Sequence, residues 1–166
     1  NPLIHSITNY VVAPFQANAL SALGASPIMA DEPEEAAKLT GLSDGLVVNI
    51  GTLNQHSINA MYLSAQAACR RIIPLVLDPV GVCASYLRQL AVHELLQLFR
   101  FSAIRGNAGE IAFLAQAGHR NKGIDAGALE ADPLQIAQTV ARRYQSIVVM
   151  TGAEDYITDG HTTYLC

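Results

Sequence analysis

Residues 45–79 read GLVVNIGTLNQHSINAMYLSAQAACRRIIPLVLDP, and this stretch decides the fold. It opens on a β-branched run, Gly45–Gly51. It continues into Ser57–Arg70, where Ile58, Met61, Tyr62, Ala65 and Cys69 recur at helical spacing, and closes on a second apolar run, Ile72–Pro79. Strand, helix, strand at this spacing is the unit from which parallel sheets are built. The pattern extends in both directions. Upstream, Ser26–Ala30 (SPIMA) is a short apolar run, Asp31–Pro33 is a helix start, and Gly41 can end that helix. Downstream, Leu87, Ala91, Leu95 and Leu98 form another helical stripe, followed by Ser102–Asn107 (SAIRGN) and a helix from about Ala108. A further helix starts at Asp132–Pro133, with Ile136, Val140 and Tyr144 on one face, before the buried run Ser146–Gly152 (SIVVMTG). Tyr156–Thr158 and His161–Leu165 flank Asp159–Gly160, a two-residue hairpin turn. The expectation is a single α/β domain over residues 1–166 with a mostly parallel sheet, right-handed crossovers and, because the strands are almost continuously apolar, both faces covered.

Charge is scarce. Lys and Arg number 10, Asp and Glu 14, so 14% of the 166 residues are charged against about 25% in a typical soluble domain. With 51% hydrophobic residues, the chain is not a disordered tail. A net charge of −4 argues against a nucleic-acid surface, and no apolar run is long enough to suggest a membrane span. The apolar surplus implies a buried subunit interface, a missing segment, or both. Cys69, Cys83 and Cys166 form no C-x-x-C pair and read as free thiols in a reducing, cytoplasmic setting, with Cys69 filling core. His56 and His119 read as surface or cap residues.

The polar residues gather where the apolar runs end. One run ends Asn49-Ile50-Gly51-Thr52 and the next Asp78-Pro79-Val80-Gly81. The third ends Arg105-Gly106-Asn107, with Glu110 one turn on, and the last ends Thr151-Gly152. Open parallel sheets bind ligands at the carboxyl ends of their strands, near the point where strand order reverses. Asp78 and Glu110 are hard oxygen donors of the kind Mg²⁺ takes beside phosphates, and Arg105 is a fixed cation for a transferring phosphoryl group. Structural alternatives stand beside these readings. Asp78 could cap a turn, Arg105 could serve an ion pair, and Asn107 with Glu110 could form a helix-start capping box. There is no G-x-x-x-x-G-K-[ST], no G-x-G-x-x-G and no G-x-S-x-G, and His93-Glu94-Leu95-Leu96-Gln97 misses the second His of a zinc motif.

The segments Asn1–Glu35 (NPLIHSITNYVVAPFQANALSALGASPIMADEPEE), NIGTL at 49–53, LDPVG at 77–81, AIRGNAGE at 103–110, KGIDA at 122–126 and MTG at 150–152 together resemble the hydroxyethylthiazole kinase family. The resemblance covers essentially the whole chain. It implies a ribokinase-like three-layer fold with a mostly parallel central sheet. It also implies transfer of the ATP γ-phosphoryl, with Mg²⁺, to the primary alcohol of 4-methyl-5-(2-hydroxyethyl)thiazole, and a homotrimer with active sites at subunit interfaces. By the same resemblance Met29 and Asn9 line the thiazole pocket, Arg105, Asn107 and Thr151 bind ATP, Asp78 and Glu110 hold the metal directly or through water, and Arg105 acts on the transferring group. Spacing alone singles out Asp78, Arg105, Glu110 and Thr151, but not Met29 or Asn9.

The chain departs from the family in two places. Val82-Cys83-Ala84-Ser85 follows LDPVG where small residues are usual, with Cys83 in place of a frequent Gly. The family's Gly-rich G-[TA]-G-C segment, which supplies an anion hole and a catalytic Cys, has no counterpart, and Cys166 does not align with that Cys. The expectation from these ends is a fold short at both termini, weak or inactive as written, whose exposed apolar face is the one a continuation would occupy. The alternatives are a truncated non-catalytic nucleotide-binding homologue and another ribokinase-like vitamin kinase.

Overall fold

The computed structural model describes residues 1–116 and 132–166. The KGIDA segment and His119 lie outside the described residues. The strands are β1 Leu3–Ile7, β2 Ser26–Met29, β3 Gly45–Asn49, β4 Leu75–Asp78, β5 Ala103–Asn107, β6 Ile147–Thr151, β7 Tyr156–Thr158 and β8 Thr163–Leu165. The described helices are α1 Ala13–Ala22, α2 Pro33–Leu42, α3 Gln55–Arg71, α4 Tyr86–Leu98, α5 Ala108–Gln116 and α6 Pro133–Tyr144, with one 3₁₀ turn over Val82–Ala84.

The eight described strands form one sheet in the order β2-β1-β3-β4-β5-β6-β7-β8. The pairs from β2 to β6 are parallel, and β7 and β8 add an antiparallel edge. The expected mostly parallel α/β architecture is what the chain adopts. The order reverses at β1: the step to β2 runs one way, and every later step runs the other. Right-handed crossovers therefore put α1 on one face and α2 to α6 on the opposite face. The buried His5 side chain, which reaches Thr40 of α2, marks the helical face.

Coverage of the two faces is unequal, and this corrects the expectation that both are sealed. Leu46, Val48, Leu75, Leu77, Ile104, Val148 and Met150 are buried against the helices. On the other face Val76, Ala103 and Val149 are only half-buried, and Ile147 is 48% exposed. Among the described residues a single helix of ten residues, α1, lies over that face, and none of its residues is buried.

Several local expectations shift by a residue or a turn. In α3 the buried stripe is Ser57, Ala60, Met61, Ser64, Ala65 and Ala68, so Cys69 is exposed rather than core. Its Ala and Ser positions allow the close approach of α2, on which α3 packs extensively. In α4 the buried residues are Ala91, Val92 and Leu95, while Leu87 and Leu98 face outward. Helix α2 runs through Gly41 and ends at Leu42, capped at its start by Glu32. Ile72 belongs to no strand. It caps α3 in the left-handed region (φ 56°) and is 91% exposed. The hairpin loop has four residues rather than two, because Thr158 pairs with Thr163 and the Asp159 carboxylate accepts from the His161 and Thr162 amides. The cysteines are free thiols, as expected. Among the described residues no helix is long and apolar enough to cross a membrane.

Candidate active site

The register alone aligns the polar residues. Asn49 lies beside Asp78, Asn107 beside Thr151, and Met29 beside Ser6. Since alternate residues of a strand share a face, Met29, Asn49, Asp78, Arg105, Asn107 and Thr151 all project from the incompletely covered face. They stand at the carboxyl ends of β2 to β6, around the reversal at β1. This is where open parallel sheets form ligand crevices.

A chain of side-chain amides crosses the reversal point. Asn9, in the loop after β1, accepts from the Val12 amide at 3.1 Å through Oδ1 and donates through Nδ2 to Asn49 Oδ1 at 3.0 Å. Asn49 Oδ1 also accepts from the Gly51 amide at 2.9 Å, and its Nδ2 donates to Asp78 Oδ2 at 2.9 Å. Asn9 and Asn49 are both buried. On its far side Asp78 Oδ2 lies 3.7 Å from the Arg105 guanidinium, whose side chain is half exposed, so the pair contributes only about 0–1 kcal/mol to stability. Asp78 Oδ1 is buried and has no hydrogen-bond partner among the described residues. Burial pushes the Asp78 carboxyl above its usual range. Arg105 and the Asn49 amide oppose that shift, and the Glu110 charge adds to it. Asp78 therefore does not act as a turn cap. It is a held carboxylate with one oxygen free.

Glu110 has a different office. Its Oε1 accepts from the Gly81 amide and its Oε2 from the Asn107 amide, both at 2.8 Å, while Asn107 Oδ1 accepts from the Glu110 amide at 3.0 Å. This is the capping box at the start of α5, extended to the loop after β4. Both carboxylate oxygens accept backbone hydrogen bonds, unlike Asp78 Oδ1. Thr151 Oγ1 donates to the Gly106 carbonyl at 3.4 Å. Cys83 is exposed, with its thiol 3.7 Å from the Gly109 carbonyl.

A divalent cation fits this donor set in one way. Among the described residues no three His, Cys, Asp or Glu side chains cluster into a metal cage. Mg²⁺ is commonly held by one or two carboxylates together with substrate phosphates and water, and the free Asp78 Oδ1 offers one such donor.

Two residues important to the geometry were not legible in the sequence. Arg88, on α4, donates from Nη1 to the Ile50 and Val80 carbonyls at 2.6 and 2.7 Å, and from Nη2 to the Gly51 carbonyl at 2.8 Å. It clamps the loops after β3 and β4 to each other, and nothing in its local pattern announces this. Gly51 allows Asn9 to approach: a Cβ there would stand 2.7 Å from Asn9 Cβ. Met29 reaches the same end of the sheet as Asn9 by register, without a hydrogen bond to the relay.

The comparisons with known proteins agree with one another. The model of the hydroxyethylthiazole kinase family matches residues 1–166. A hydroxyethylthiazole kinase of Pasteurella multocida is 51% identical over 160 residues, which are 96% of this chain and 60% of that protein. The structure of the hydroxyethylthiazole kinase protein from Pyrococcus horikoshii superposes with a TM-score of 0.86 at 39% identity, covering 99% of this chain and 61% of that one. Adenosine kinase from Sinorhizobium meliloti, at 12% identity and a TM-score of 0.51 over 97% of this chain and 56% of that one, shares the fold alone. The chain spans about 60% of the length of the curated relatives it matches.

Proposed function

Since the chain belongs to the hydroxyethylthiazole kinase family, we propose that the protein phosphorylates the primary alcohol of 4-methyl-5-(2-hydroxyethyl)thiazole from ATP. The observation that carries this reading is the oriented Asp78 carboxylate. One oxygen is hydrogen-bonded by Asn49, the other is free, and a half-exposed Arg105 stands beside it at the mouth of a parallel sheet. Phosphoryl transfer needs little covalent help from a protein. It needs reactants held in line and charge offset as the phosphoryl group moves.

Each residue has a part in that task. Met29 and Asn9 line the alcohol side at the ends of β2 and β1. Arg105 faces the transferring phosphoryl, and Thr151 and Asn107 line the nucleotide side along β5 and β6. Asp78 Oδ1 would hold Mg²⁺, which supplies charge neutralisation for the phosphate oxygens when bound. Glu110 acts at one remove, fixing the loops after β4 and β5 through its two engaged oxygens.

The reading extends to assembly and place. Tyr10, Val11 and Phe15, at 61%, 85% and 77% exposure, form an apolar surface around α1 beside the alcohol side. That supports burial between protomers of a homotrimer with interfacial sites. Three exposed free thiols support a reducing cytoplasmic compartment. The single sheet joining all eight strands supports one domain across residues 1–166.

The test is a steady-state assay of the intact protein with ATP, Mg²⁺ and the thiazole alcohol, identifying the phosphate ester by mass. Turnover is expected, and Arg105→Gln should lower kcat by about 10²–10³. An intact protein that leaves the thiazole alcohol untouched while phosphorylating a pyrimidine or pyridoxal alcohol refutes the substrate assignment.

A further inference from the structure

We infer that Asn49 is a positioning residue. Its side-chain amide ties Asn9 on the alcohol side to Asp78 on the phosphate side, and sets which Asp78 oxygen is held and which is left unpartnered. The inference rests on the kinase reading for its consequence, but its geometry stands independently.

The direction of the Asn49 amide is fixed by its neighbours. One end meets two N–H donors, from Asn9 Nδ2 and the Gly51 backbone, and must be the oxygen. The other end meets the Asp78 carboxylate at 2.9 Å and must be the nitrogen. Asn9 is fixed in the same way by the Val12 amide at the start of α1. The four groups therefore run head to tail, from the Val12 N–H through two carboxamides to Asp78 Oδ2, each dipole polarising the next in a buried setting.

The consequence falls on Asp78. Asn49 and Arg105 both address Oδ2, which leaves Oδ1 without a partner. A carboxylate free to rotate could offer either oxygen. This one is turned so that its unpartnered oxygen is the one not claimed by β3. No other residue type meets the requirement at this length. Asp lacks the donor, Ser lacks the reach, and Gln carries an extra methylene into a space already closed by Gly51 and Asn9. The same amide also gives the two sides a physical link, because a shift of Asn9 moves the Nδ2 donor that the Asn49 oxygen accepts from.

The discriminating substitution is Asn49→Asp in the intact protein. It keeps the oxygen that receives Asn9 and Gly51, removes the donor to Asp78, and sets two carboxylates face to face. The expected result is a kcat at least tenfold lower with the alcohol KM within about threefold of wild type, since the Asn9 contact survives. The melting temperature should fall by roughly 5–15 °C, from the buried like-charge contact. The double variant Asn49→Asp/Asp78→Asn restores one amide–carboxylate hydrogen bond with its direction reversed. It should recover at least half of that fall while remaining inactive. If the single variant does not fold, recovery of folded protein in the double variant supports the inference equally. It is overturned by a folded Asn49→Asp with kcat within twofold of wild type, by a loss confined to the alcohol KM, or by a double variant no more stable than the single. A wild-type protein that fails to phosphorylate the thiazole alcohol would remove the kinase reading. The melting comparison would still decide the Asn49–Asp78 contact.

Discussion

Replacing Gly51 by Ala tests the packing of the site at its tightest point. The added Cβ would lie 2.7 Å from Asn9 Cβ, 2.8 Å from Asn9 Nδ2 and 3.0 Å from Asn49 Oδ1. Carbon atoms rest at about 3.5–4.0 Å, so Asn9 must retreat by close to 1 Å. Its bond to Asn49 is already 3.0 Å long and does not survive such a movement. Overpacking costs about 1–3 kcal/mol and the lost hydrogen bond about 0.5–1.5 kcal/mol. The gain of about 0.4–1 kcal/mol from stiffening the unfolded chain offsets part of this. The net destabilisation is about 0.5–4 kcal/mol, or a melting temperature lower by roughly 1–16 °C at this chain length. Urea denaturation of the intact protein should show a lower midpoint at unchanged slope. Gly41→Ala is the control, because a Cβ there meets nothing within 4 Å inside α2, and it should stabilise by about 0.5–1 kcal/mol. A Gly51→Ala midpoint equal to wild type, with the control behaving as stated, would refute the close approach of Asn9.

Three further outcomes follow from the same contacts. Arg88→Ala strands the Ile50, Gly51 and Val80 carbonyls and should cost about 2–4 kcal/mol in urea titrations, with Arg88→Lys intermediate because one ammonium cannot span both loops. Ile72→Asn should raise stability by about 0.5–1 kcal/mol in a thermal melt, since the left-handed, solvent-exposed cap suits Asn and little apolar burial is lost. Burial holds the His5 imidazole below its ordinary range, against the raising effects of the Ala30 carbonyl and Glu35. The folded state then binds fewer protons than the unfolded one, so stability is full above about pH 6.5 and falls as pH drops below it. Melting temperatures from pH 7.5 to 5 should show this slope, and a flat profile would contradict the neutral, buried His5.

What the sequence made legible, and what it did not, divides along physical lines. Strand-end chemistry at Asp78, Arg105, Glu110 and Thr151 could be read because parallel sheets bring carboxyl ends together whatever their loops do. The different hydrogen bonding of the two carboxylates could not. Glu110 follows Asn107 at the spacing of a capping box, and only the position of the Gly81 amide shows that its second oxygen is engaged too. Arg88 and Asn49 act across separations of 37 and 29 residues, which no local pattern encodes. Cys69 missed the core because Ala and Ser, not the larger residues, line the face of α3 that α2 approaches. Asn9 and Met29 came only from the family resemblance; their local signals are those of a loop Asn and a strand Met.

The position of β1 has a bearing on how the protein is born. β1, ahead of the other described strands in sequence, lies inside the sheet, bonded on one side to β2 and on the other to β3. Every hydrogen-bond partner of the Asn9 side chain, and Gly51 beside it, has been translated once β3 and the turn after it are made. Asp78, Arg105 and Thr151 arrive progressively later. Pairings of this kind are slow to form, because distant segments must meet before contacts repay the lost chain freedom. A nascent chain would thus hold every residue of the Asn9 hydrogen-bond cluster before Asp78 and Arg105 have been translated.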